Sequence, residues 1–269
     1  MIQSNAESFL HVEKWKADFP SLVASFSTKN GGVSMGPYQS LNCGLHVNDH
    51  RADVVTNRTL LGTDCDAPIT KWVMADQVHG DTIKYVTSDD VGKGSTHYED
   101  ALAKTDGLWT TEKNVFLSLC YADCVPIYYM DPVSNFAGVA HAGWKGTVKD
   151  IAGSMIRVAE NAGVDSTNLQ VAIGPSIGPC CYLVDDYVIN KVNDSLIKEV
   201  PNVYHKLEEG QYRLDLKMVN YQLLLQAGLN EKQIITSSYC TSCEEQLFFS
   251  HRRDQGVTGR MVAVIGWKE

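Results

Sequence analysis

The sequence predicts an α+β fold in a single domain over residues 1–269, either layered mixed β-sheets with packed helices or one mixed sheet with helices against it. Three observations predict it. Several apolar runs of strand length follow one another in the middle of the chain. Segments with helical spacing of apolar residues are interspersed among the strands. No repeat, low-complexity tract or composition break divides the chain. With 44% hydrophobic and 20% charged residues, a chain of this length buries enough apolar surface to need no covalent staples.

The elements follow in order. "STKNGGVSMGPYQSLNCGLHVNDH" is rich in Gly, Asn and Ser and predicts a long irregular loop. A helix begins near Asp49, with Val54, Arg58 and Leu61 on one side. "KWVMADQVHGDTIKYV" predicts two strands joined by a turn at His79-Gly80-Asp81. "VGKGSTHYEDALAKTDGLWT" reads as a polar, glycine-bearing connection. "NVFLSLCYA", "VPIYYMD" and "FAGVAHAG" are the apolar runs of strands buried on both faces. A helix follows, with Thr147 and Asp150 as a capping pair and Val148, Ile151, Ala152, Met155 and Ala159 at helical spacing. "LQVAIGP" predicts a strand, and "DDYVINKVNDSLIKEV" and "LDLKMVNYQLLLQAG" predict helices, the second capped by Asp215 and ended by Gly228. "QIITSSYC" and "MVAVIGW" complete the chain as strands.

The formal net charge of −9 argues against nucleic acid or an anionic membrane surface as partner, since both require a basic face. It leaves room for a small anion, which needs only one or two local cations. No apolar run approaches the ~18 residues of a membrane helix. The N-terminal segment lacks the basic start and apolar core of a secretory signal, so a cytoplasmic location and reduced thiols are expected for the eight cysteines.

Three residues combine chemistry with an unusual setting: His79 at a turn, Cys124 at a strand junction and His141 at a strand end. Thiolate and imidazole are preferred zinc ligands, and three protein ligands with one open position make a catalytic site. A small buried thiol and two hydrogen-bonded imidazoles account for the same residues without a metal. In "HAGWKG", Gly143 and Gly146 flank Trp144 and Lys145 where a strand turns into a helix, a setting that favours anions. Asp123 precedes the thiol and suits a ligand-orienting acceptor, while Asp106 before Gly107 reads as a turn former. In "SHRRD", Arg252, Arg253 and Asp254 form an ion-pair cluster or grip an anion. Cys240 and Cys243 have C-x-x-C spacing. With no second such pair, a four-cysteine site is excluded on this reading, and adjacent Cys180 and Cys181 make a poor metal pair because neighbouring strand side chains diverge.

In one order the chain carries "LNCGLHVND", "ADQVHG", "TDGLWT", "ADCVPIYYMDP", "AGVAHAGWKGTV", "AIGPSIGPCCYLV" and "FFSHRRDQGVTGRMVAVIG". This series resembles the laccase-domain family, also called the polyphenol oxidase or purine nucleoside phosphorylase (YfiH) family, and within it the bacterial YlmD-like branch. The resemblance covers roughly Ser25 to Trp267. It implies zinc held by His79, Cys124 and His141, and a fold similar to that of a bacterial cytotoxic deamidase with catalytic Cys and His. It implies phosphate-dependent cleavage of adenosine, inosine, guanosine and methylthioadenosine, with adenosine deamination beside it. Copper-dependent oxidation of phenols is an older assignment for the family. "GLHVND" and "SHRRD" depart from its pattern, so His46 and His251 receive no role from it.

On this reading Cys124, His141 and Asp123 are the catalytic candidates, with Asp123 as acid/base. Arg58, Gln77, Lys145 and Arg252 are the candidates for substrate and phosphate, and Trp144 or Tyr121 for stacking the purine. Three other readings stay open: a copper phenol oxidase, a metal-independent cysteine hydrolase with Cys124 as nucleophile and His141 as base, and a non-enzymatic interaction protein stabilised by zinc, which chelation would unfold.

Overall fold

The computed structural model describes residues 8–197, 200 and 202–269. Two large mixed sheets lie face to face. The first runs β1 (Phe9–His11), β2 (Leu22–Ser27), β14 (Met261–Trp267), β6 (Phe116–Tyr121), β3 (Trp72–Met74). It is antiparallel except where β3 joins β6. The second runs β13 (Ile234–Thr236), β9 (Gln170–Ile173), β7 (Val125–Asp131), β8 (Phe136–Ala142), β5 (Gly107–Thr110), β4 (Ile83–Tyr85). Its outer pairs are parallel and its centre antiparallel. A small antiparallel sheet of β10 (Leu183–Val184), β12 (Gln211–Leu214) and β11 (Tyr204–Glu208) stands apart.

Strand periodicity explains the layering. In β7, Tyr128 and Met130 face the first sheet, meeting Phe26, Leu119 and Ile265 in the inter-sheet core. Val125, Ile127 and Tyr129 face the opposite way, onto helices α4 (Ile151–Asn161), α5 (Asp186–Ser195) and α6 (Leu216–Gln226). The outer face of the first sheet, with Val23, Trp72, Phe116 and Val262, is covered by Leu61 of α2 (Arg51–Asp64) and by the Leu41–Cys43 segment. Both faces of the central strands are thus buried, as their continuous apolar runs require. The α+β layered class predicted from sequence is the one observed.

Several elements differ in detail. The helix expected after β8 is broken into α3 (Trp144–Val148) and α4, because Asp150 takes a left-handed conformation (φ 60°). Asp150 is itself the N-cap of α4, accepting from Gly153 N at 2.9 Å, rather than the partner of Thr147. The helix starting at Asp186 ends at Ser195, and Lys198 and Glu199 of its predicted tail lie outside the described residues. The two strands around His79 do not form a hairpin, since β3 and β4 belong to different sheets. β5 lies inside the stretch read as a polar connection, and β1, β2, α1 (Glu13–Asp18) and the small sheet were not expected. No helix among the described residues is long and apolar enough to cross a membrane.

Candidate active site and metal centre

The chain leaves the first sheet at Tyr121 and enters the second at Val125. Ala122, Asp123 and Cys124 make that crossing, and Asp123 turns it with φ 85°. In the antiparallel β7–β8 pair Val125 stands opposite Ala142, so Cys124 emerges beside Gly143 and near His141. His79 arrives from the β3–β4 loop with φ 58°. One ligand atom from each of His79, Cys124 and His141 lies within 4.8 Å of the others.

Asp106 organises both histidines. Its carboxylate accepts the backbone N–H groups of Val78, His79 and Gly80 at 3.2, 3.0 and 2.7 Å, fixing the left-handed turn at His79. The same carboxylate meets His141 Nδ1 at 2.8 Å, and the Asp106 carbonyl accepts from His141 N at 2.7 Å. His141 Nδ1 is therefore engaged, and Nε2 is its free ligand atom. Burial pushes the Asp106 carboxyl up, but His141 and the Gly80 and Val78 amides outweigh that and hold it below its ordinary value.

The donors also act on one another. Burial raises the Cys124 thiol, yet the rings of His141 and His79 bring it down to about 6. Burial lowers His141, while Cys124 and Asp106 together raise it to about 9. The cluster thus favours a thiolate at neutral pH, the form that binds metal or attacks an electrophile. Gly143 permits the close approach of the chain: a Cβ there would lie 3.0 Å from His79 Cδ2 and 3.1 Å from Cys124 Sγ. Two imidazoles and a thiolate, one imidazole braced by a carboxylate, fit the donor set of a divalent zinc-type ion.

These donors sit in a cavity of about 520 Å³ that is also lined by Gln77, Trp144, Lys145, Tyr182, Arg252 and Arg260. That volume is typical of a small-molecule site. Lys145 is exposed, with Nζ 5.8 Å from the Trp144 ring centre. Arg252 is exposed and lies over Tyr182, its guanidinium 5.0 Å from the ring centre and donating to Leu183 O at 2.9 Å. Gln77 reaches the cavity, but its amide exchanges bonds of 2.7 and 2.8 Å with the Cys120 backbone and extends the β3–β6 ladder.

Four expectations need correction. Arg58 does not reach the cavity. It is 2% exposed on the core-facing side of α2 and donates to the carbonyls of Cys43, Gly94 and Ser95, each at 2.7 Å, so its fork holds loops and not phosphate. Asp123 is not a free acid/base: its carboxylate accepts from Thr241 Oγ1 at 2.7 Å, Ser250 Oγ at 3.0 Å and Arg252 N at 2.7 Å. Tyr121 is buried at 1% exposure and bonded to Ala140 O, so of the two expected stacking residues only Trp144 lines the cavity. The exclusion of a four-cysteine group also fails. Cys180 and Cys181 lie in a turn and not a strand, and one sulfur from each of Cys180, Cys181, Cys240 and Cys243 lies within 4.8 Å of the others.

Asp106 and Arg260 are the site residues that sequence reading missed. Asp106 looked like the first half of an Asp-Gly turn, and its task depends on partners 26 to 35 positions away. Arg260, just before β14, gives hydrogen bonds to the carbonyls of Thr258 and Gly259 and lines the cavity. The "RRDQGVTGR" stretch places it among glycines, a weak signal.

The sequence matches the family model described as multi-copper polyphenol oxidoreductase laccase over residues 23–268. The chain belongs to that family. It is 49% identical over 252 residues to purine nucleoside phosphorylase YlmD of Geobacillus stearothermophilus, covering 93% of this chain and 92% of the relative. It is 47% identical over 266 residues to purine nucleoside phosphorylase YlmD of Bacillus subtilis, covering 97% and 95%. The crystal structure of YlmD from Geobacillus stearothermophilus superimposes with a TM-score of 0.96 at 47% identity, covering 99% of this chain and 98% of that one. A Bacillus licheniformis hypothetical protein, YfiH, gives 0.95 at 48% identity with the same coverage. The resemblance read from seven motifs and the family shown by these comparisons are the same.

Proposed function

We propose that this protein, acting as one domain over residues 1–269, is a purine nucleoside phosphorylase that uses phosphate to cleave adenosine, inosine, guanosine and methylthioadenosine. The observation that carries this reading is the Asp106-braced His79–Cys124–His141 cluster inside a nucleoside-sized cavity. Relatives of nearly half-identical sequence named purine nucleoside phosphorylases support it.

His79, Cys124 and His141 would hold zinc, with copper as the competing occupant of the same donors. When bound, zinc supplies a Lewis acid to an oxygen of phosphate or substrate. The chain's own residues do the rest. Asp106 keeps the His141 proton on Nδ1, so the other ring nitrogen stays available. Arg252, Arg260 and Lys145 supply the positive charge that holds phosphate, and Arg252 adds planar donors suited to its oxygens. Trp144 offers a ring face to the purine. Asp123 acts by position, fixing the backbone at the thiol and the Arg252 amide.

Adenosine deamination in the same cavity is part of the proposal. Product analysis with adenosine tests both activities. Adenine formed in proportion to phosphate supports phosphorolysis, and inosine formed without phosphate supports deamination. Neither product at any phosphate concentration contradicts the proposal.

The Cys124–His141 pair favours a second reading, a cysteine hydrolase, because its charges match a thiolate–imidazolium couple. That reading predicts a covalent adduct on Cys124 and activity in chelator. Copper-dependent phenol oxidation finds less support. Among the described residues the other metal-compatible group is all cysteine, and one Cys-His-His set lacks the partner cluster that oxygen reduction requires. An assay without oxygen separates the two, since phosphorolysis continues and oxidation stops.

A further inference from the structure

We propose that Cys180, Cys181, Cys240 and Cys243 bind a second zinc ion, in a closed four-thiolate site that clamps two loops beside the cavity. Cys243 Sγ lies 3.4 Å from both Cys180 Sγ and Cys181 Sγ. A disulfide requires about 2.05 Å and a single partner, whereas four sulfurs around zinc at about 2.3 Å stand about 3.8 Å apart. The four sulfurs, all within 4.8 Å of one another, match the second arrangement.

The backbone around Cys240 suits a sulfur ligand. Gly178 N points at Cys240 Sγ from 3.2 Å, and the backbone N–H groups of Ser242 and Cys243 also face it. Such N–H donors stabilise sulfur charge and orient metal ligands. A Cβ on Gly178 would lie 3.3 Å from Cys180 Sγ and Cys240 Cβ, so the glycine lets the first loop close on the second. The Lys217 ammonium, bonded to Tyr239 O at 2.7 Å, adds positive charge near Cys240 and Cys180. Four sulfur ligands leave no vertex for substrate, which makes the site structural.

The clamp has a mechanical consequence. One loop follows β9 and the other follows β13, and they continue the β9–β13 pairing through a bridge between Ser176 and Cys240. The first loop carries Ile177, whose N–H donates to Asp123 O at 2.9 Å, and Tyr182, which lines the cavity. The second carries Thr241, which holds the Asp123 carboxylate. Zinc between them fixes the wall next to Cys124.

Metal analysis of the full-length chain, purified with zinc and dialysed against metal-free buffer, tests this. The His79→Ala/His141→Ala variant leaves all four cysteines intact, so its result does not depend on a cysteine variant folding. It retains about one zinc per chain where the parent holds about two, and cobalt loading gives the absorption of a tetrahedral four-sulfur site. Cys240→Ser/Cys243→Ser removes that ion and spares the one at the histidines. A histidine variant that is folded but binds neither zinc nor cobalt overturns the proposal. A disulfide among these four cysteines in protein kept free of oxidant overturns it as well.

Discussion

Two clusters in this molecule present overlapping donor chemistry in different settings. At His79, Cys124 and His141, three donors come from three separate segments and face a cavity. At Cys180, Cys181, Cys240 and Cys243, four sulfurs from two loops face one another near the surface. The first cluster is oriented by the Asp106 carboxylate, the second by backbone amides. A three-donor site keeps a position for chemistry, and a four-sulfur site closes it. Ligand type alone does not separate the two. Donor count, bracing partner and access to a cavity do.

Substitutions sharpen that contrast. The largest effect is expected for His141→Ala, which removes a donor and the partner of Asp106. Phosphorolysis of inosine should fall by about 10³-fold or more with the far-ultraviolet circular dichroism unchanged. Asp106→Asn keeps the size but weakens the brace on both histidines, and a loss of about 10–100-fold in metal affinity or activity is expected by titration and steady-state kinetics. Substituting the closed site should instead lower stability and raise KM, with the metal at the histidines retained.

Arg58→Met breaks the contrast from outside. It leaves three buried carbonyls without their donor, so unfolding in urea should show a loss of roughly 3 kcal/mol. The folded fraction should keep its kcat and its KM for phosphate. A selective rise in the phosphate KM would restore Arg58 as a phosphate ligand.

The smallest expected effect is a pH dependence of stability in metal-free protein. Cys124 falls from an ordinary 9 to about 6, so its contribution is full above 9 and is lost as pH falls through 6. His141 rises from 6.5 to about 9, so its contribution is full below 6.5 and is lost as pH rises through 9. Between 6.5 and 9 the two slopes are opposite and equal, so they cancel, and together they predict a stability almost independent of pH across that range. Urea unfolding across that range should show a nearly flat profile in the parent and, in Cys124→Ser, a stability that falls as pH rises, because His141, still paired with Asp106, loses its proton without the offsetting Cys124 slope.

The sequence made the central strands legible because both faces of β6, β7 and β8 are buried and their apolar runs are unbroken. It also brought out the three candidate donors, Cys124 and His141 beside strand ends among apolar residues and His79 at a turn. The small sheet was not legible because β11 is largely exposed and carries no apolar pattern. Arg58 misled for the opposite reason: its charge suggests solvent, whereas backbone carbonyls satisfy it inside the fold. Cys180 and Cys181 misled because strand geometry was assumed for a turn, where adjacent side chains converge on a common partner. Asp106 shows the general limit, since one carboxylate ties residues from three segments and no local pattern records it.

The most direct test measures inosine cleavage at saturating phosphate in metal-depleted protein, before and after zinc is restored. Activity that disappears on depletion, with the fold retained, and returns with zinc is the predicted result. Full-rate cleavage by folded, metal-free protein would contradict a metal-dependent site at His79, Cys124 and His141.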